Sequence, residues 1–95
     1  VSNPPNNEYR KLYAGEQVKT ADGVVLADGL RVFTNNLDRG VVDLRRAEYE
    51  WNSAENRYSL WFDVRVDTTY DGKSADREVQ QSDDRVATRF EGRAA

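Results

Sequence analysis

The run Asp67-Thr-Thr-Tyr-Asp-Gly-Lys-Ser-Ala-Asp-Arg-Glu78 holds Asp67, Thr69, Asp71, Gly72 and Glu78 at places one, three, five, six and twelve of a twelve-residue loop. At that spacing an EF-hand loop converges oxygen ligands on calcium, with glycine making the sharp turn. Two features oppose a calcium site. The eighth place is Ser74 rather than an aliphatic residue, and the strictly alternating segment 58–66 cannot be the incoming helix. Asp-Gly between two β-prone runs is more simply a hairpin turn. Divalent-cation binding through Asp67, Thr69, Asp71 and Glu78 is therefore the second expectation, behind a binding module without metal.

Acid–base and nucleophilic chemistry have little to work with. The chain has no cysteine and no histidine, which removes thiolates, the commonest soft or borderline metal ligands, and the one side chain that titrates near neutrality unperturbed. Asp83 and Asp84 are adjacent and would point in different directions on a strand or turn, a poor arrangement for paired acid and base. The serines lack a histidine partner, and no glycine-rich phosphate loop is present. The expectation is a protein that is not an enzyme and needs no cofactor.

Trp61 is the sharpest binding candidate. Along Tyr58-Ser-Leu-Trp-Phe-Asp-Val-Arg-Val66 the even positions are all apolar, the pattern of a strand with one face buried. Trp61 falls in the other phase with Ser59, Asp63 and Arg65, where a tryptophan can anchor a partner unless the N-terminal segment covers it. The polar run Asn35 to Gly40 is the second candidate, as a recognition loop. The leading expectation is a small interaction module that binds a protein through Trp61, Arg65, Asn35, Asn36 and Arg39.

A weak nucleic-acid binder is the third expectation, from Arg39, Arg45 and Arg46. It is disfavoured by a formal net charge of −3 and a pI near 4.9, which do not attract phosphate backbones. Arg45 and Arg46 also have Asp63 and other acids to pair with. The apolar runs are far shorter than the ~20 residues of a membrane-spanning helix, so no membrane partner is expected. The cytoplasm is the expected compartment, since a small secreted domain is commonly stapled by disulfides.

Positioning these residues requires a β-rich fold. In 95 residues there is room for one domain, expected over 8–91, with a disordered arm at 1–7 and a tail at 92–95. Asn7, Tyr9, Leu12, Tyr13 and Gly15 suggest a short N-terminal helix. Short strands follow at 16–20, 24–27 and 30–34, separated by Asp22-Gly23 and Asp28-Gly29, for which type I′ turns are expected.

The run Val41 to Trp51 is strand-like, but its apolar phase slips between Leu44 and Ala47. One extra residue at Arg45/Arg46 repairs it. Trp51 then faces Tyr58, Tyr49 faces Leu60, Ala47 faces Phe62, Leu44 faces Val64, and Val42 faces Val66. The same register sets Arg46 against Asp63 and Asp43 against Arg65. Residues 75–81 read as an edge strand, in which a two-residue turn would set Asp67 against Asp76, a like-charge pair, and a three-residue turn with a bulge would set Asp67 against Arg77. Ser82-Asp83-Asp84 reads as a tight turn and 85–90 as a last strand. The expected fold is all-β, a small antiparallel barrel of five to seven short strands, with a β-sandwich as the alternative. The layout from Gly29 onward resembles an SH3-type barrel.

Overall fold

The computed structural model describes residues 9–11 and 17–89. It is all-β, with antiparallel strands curled into a half-barrel and almost no helix. The strands among the described residues are β1 (Tyr9–Lys11), β2 (Arg31–Phe33), β3 (Arg39–Asn52), β4 (Arg57–Thr68) and β5 (Ser74–Ser82), followed by a single 3-10 turn, Asp83–Arg85. β1, β3, β4 and β5 are neighbours in that order, and β2 pairs with the first part of β3. Among the described residues, no helix is long and apolar enough to cross a membrane.

The period-two pattern of β4 makes the core. Leu60, Phe62, Val64 and Val66 are each at most 1% exposed, and they pack with Val42, Ala47 and Tyr49 of β3, Val32 of β2, Leu26 and Val86. Each fully buried side chain of this size contributes roughly 1.5–3 kcal/mol.

The β3–β4 register follows expectation at one end and departs from it at the other. Trp51 pairs with Tyr58 and Tyr49 with Leu60, as the apolar phase demands. Beyond Glu48–Trp61 the next pair is Asp43–Asp63, so β3 spends residues 44–47 where β4 spends only Phe62. Three residues are extra rather than one. Val42 therefore faces Val64, Gly40 faces Val66, and Val41 faces Arg65.

The enlarged bulge places two carboxylates directly opposite each other, which like charges disfavour. Arg45 and Arg46, both inside it, neutralise them: Arg45 pairs with Asp43 at 2.6 Å and Arg46 with Asp63 at 2.9 Å. A carboxylate oxygen of Asp28 accepts from the Leu44 amide at 2.6 Å and fastens the bulge to the 27–30 turn. At the narrow end of the sheet, a Cβ on Gly40 would lie 2.4 Å from the Arg65 carbonyl oxygen, so only glycine fits there.

Between β4 and β5 the loop runs from Thr69 to Lys73, and Arg77 faces Val66 rather than Asp67. A bulge there sets Ala75 and Asp76 together opposite Asp67. Asp67 pairs with Arg31 at 2.7 Å and Asp76 with Arg65 at 3.2 Å.

Beyond the half-barrel, short contacts stand where further strands were expected. Lys19 bridges Val25 and Phe33 bridges Ala87, each as an isolated pair, where strands at 16–20, 24–27 and 85–90 were expected. The buried Asp22 carboxylate clasps Thr88, accepting from its amide at 3.0 Å and its hydroxyl at 2.6 Å. The expected helix over 8–14 is corrected for residues 9–11, which pair as a strand with Glu48–Glu50. An open strand partner satisfies their backbone groups in pairs, overriding a helical spacing of only three apolar residues. The other positions of that helix, the arm at 1–7 and the tail lie outside the described residues.

The Asp-Gly turns are not type I′. Gly23 and Gly72 have φ of +85° and +87°, while Asp22 and Asp71 do not enter the positive region. The Gly23 amide donates to the Thr20 carbonyl and the Gly72 amide to the Thr69 carbonyl, closing a type I turn with a left-handed glycine after it.

Candidate functional site

The face of β4 opposite the core carries Ser59, Trp61, Asp63 and Arg65. Across the pairing, Glu50 lies against Ser59, and Trp61 lies between Glu48 of β3 and Ser82 of β5. Trp61 is half-buried and forms the floor of a groove of about 340 Å³ between the β3–β4 turn and the 3-10 turn. Glu50 and Glu55 stand on one side, with Asp84 and Arg85 on the other. A shallower extension runs over Trp61 to Glu48 and Gln80.

One end of the groove is stiff. Trp51 packs edge-on against Tyr58, with ring centres 5.3 Å apart, and Tyr58 against Tyr49 at 5.8 Å. The buried Trp51 Nε1–H meets no acceptor in the structure. Arg57 ties the turns together, pairing with Glu55 at 3.2 Å, Asp83 at 3.4 Å and Asp84 at 3.7 Å. Burial pushes the Asp83 carboxyl upward in pKa, against the Arg57 charge and the Leu60 amide that it accepts from. Asp83 is buried and Asp84 exposed, and both carboxylates are drawn to the Arg57 guanidinium.

Two charges in this region stand apart from that network. The Arg85 guanidinium lies 5.8 Å from the centre of the Trp61 ring, within cation–π range, and has no carboxylate within ion-pair distance. Among the described residues, Glu50 has neither an ion pair nor a side-chain hydrogen bond.

The expected contact residues do not form one surface. Arg39 pairs with Thr68, seven residues along β4 from Trp61, a separation of about 23 Å at ~3.3 Å per residue. Asn35 and Asn36 are exposed beside Leu37 and Tyr70 at that far end, and Arg39 covers the Phe33 ring at 5.0 Å. Arg65 shares the Trp61 face, and its guanidinium is paired with Asp76. The far end is braced by Asp38, which is buried and accepts from the Tyr70 amide at 2.9 Å and from Arg77 at 2.7 Å.

The calcium loop is not assembled. Asp67 is held by Arg31, which with the Thr68 hydroxyl lowers its carboxyl to about 2. Asp71 accepts from the Thr69 hydroxyl at the turn tip, and Glu78 lies beside Arg46. Among the described residues, no group of three or more carboxylates is placed to hold a metal. Arg45 and Arg46 are engaged with acids, as anticipated, and offer no basic patch.

Sequence reasoning found Trp61 by its phase and overlooked the groove around it. The pairing of Trp51 with Tyr58 already implies Glu48 and Glu50 beside Trp61, so that part was within reach. Arg85 was not, because it was assigned to a last strand and lies instead in the 3-10 turn. No protein-family model matches the chain, and neither a curated protein nor a solved structure matches it, so the reading of the site rests on its residues.

Proposed function

We propose that this chain is a non-enzymatic module that binds a protein partner, working in the cytoplasm, with the Trp61 groove as its contact surface. The observation that carries the reading is Trp61 itself: a tryptophan on the polar face of the sheet, half open, at the bottom of a groove whose end is fixed by packed aromatic rings. Rigid aromatic side chains in a recess are the usual energetic centre of protein interfaces. The order of β2 to β5, the 3-10 turn and the return of residue 87 onto β2 supports an SH3-like layout. That layout alone implies no function.

Trp61→Ala is the test. It should cost under about 1 kcal/mol of stability, since the ring packs against no part of the main core, while removing a partner captured by the wild type. Full retention of that partner by a folded Trp61→Ala protein would end the proposal.

A further inference from the structure

We infer that the Trp61 groove accepts an arginine side chain from an extended segment of the partner protein, with the guanidinium against the indole and its charge met by Glu50. This rests on the groove being the contact surface and goes further by naming what enters it.

Charge is the first ground. Glu50, Glu55 and Asp84 line the groove, and among its described lining residues Arg85 is the one cation. Glu55 and Asp84 are partly neutralised by Arg57, whereas Glu50 has no partner. An unpaired carboxylate beside an aromatic floor favours a cation and repels an acidic segment.

The second ground is independent of the carboxylates. Arg85 already rests on the Trp61 ring, and nothing else holds its charged end. The chain thus carries its own guanidinium on this indole, exposed and without an ion pair, so an incoming one can displace it at little cost. Arginine fits better than lysine, because its planar, weakly hydrated head stacks on a ring while bonding a carboxylate at its edge. Gln80, exposed on the extension, offers a polar neighbour for the partner's backbone.

The full chain, labelled with nitrogen-15, would be titrated with the peptide acetyl-Gly-Ser-Arg-Ser-Gly-amide and with its citrulline and lysine counterparts, following the indole signal lost in Trp61→Phe. The arginine peptide should shift that signal, and citrulline, which keeps the shape and loses the charge, should bind about tenfold more weakly. Glu50→Gln should weaken the arginine peptide similarly, and Arg85→Ala should strengthen it by clearing the ring. Melting curves establish that each variant is folded. No shift at millimolar peptide, equal binding of citrulline, or weaker binding to Arg85→Ala would each overturn the assignment. A captured partner that needs Trp61 but is indifferent to Glu50→Gln overturns the arginine alone and leaves the contact surface standing. A partner indifferent to Trp61→Ala removes both.

Discussion

Thr34–Asp38 and Thr69–Lys73 lie side by side at the end of the sheet away from Trp61, and they close with the same three bonds. In each, the first amide donates to the fifth carbonyl, the fourth amide to the first carbonyl, and the fifth amide to the threonine hydroxyl. Both need a left-handed residue in fourth place. One supplies Gly72 at φ +87°, the other Leu37 at +67°. Leucine pays a steric cost there that glycine does not. The difference lies in the fifth residue: Asp38 is buried and bonded to Tyr70 and Arg77, so contacts distant in sequence hold the turn, whereas Lys73 is exposed. The same local geometry can therefore be set by its own residues or imposed by its surroundings.

The sharpest way to break this comparison is Asp38→Ala. It leaves the Tyr70 amide without its acceptor and should cost about 2–3 kcal/mol in urea unfolding. A loss below about 0.5 kcal/mol would mean that Leu37 is held by local bonds after all.

A third copy of the turn, Thr20–Val24, sharpens it. Its third residue, Asp22, is buried against Thr88, while the equivalent Asp71 is exposed. Asp22→Ala should cost about 2 kcal/mol and Asp71→Ala under about 0.5. The Asp22 effect should also depend on pH. Burial acts to raise its pKa, but bonds from the Thr20 and Thr88 hydroxyls and the Thr88 amide prevail and lower it to about 2. Its stabilisation is whole above the ordinary value of 3.8 and is lost as pH falls through about 2. The deficit of Asp22→Ala should therefore shrink between those values.

Smaller effects separate the two fourth residues. Gly72→Ala should destabilise by about 1 kcal/mol, because alanine there adopts an unfavourable φ. Leu37→Gly should change stability least, and in the opposite direction, gaining up to about 0.5 kcal/mol as relieved strain outweighs lost contact with Tyr70. A loss in Leu37→Gly as large as that in Gly72→Ala would show that packing, not backbone conformation, decides this turn.

The same division marks what could be read from residue order. Gly23 and Gly72 announced their turns, and the alternation of 58–66 placed the core face and the Trp51–Tyr58 register, because in these cases the deciding preference is local. The size of the β3 bulge was hidden. Arg45 and Arg46 have no apolar phase to count, and the bulge is fastened at Leu44 by Asp28, sixteen residues away. The left-handed Leu37 was hidden for the same reason. Of the candidate site, the floor was legible and the resident Arg85 was not, since a 3-10 turn has no periodicity to betray it.

The Asp22–Thr88 clasp has a consequence for the order in which the chain folds. It joins residues 66 apart, as against the five or so residues between consecutive strands of the β3–β4–β5 meander. Closing so long a loop costs more entropy than forming either hairpin. We expect the meander to constitute the folding nucleus and the clasp to form after the rate-limiting barrier. Stopped-flow kinetics of Asp22→Ala should then show faster unfolding with an almost unchanged folding rate. In that case the clasp acts chiefly as a brake on opening, setting how long the folded state persists rather than how quickly it forms.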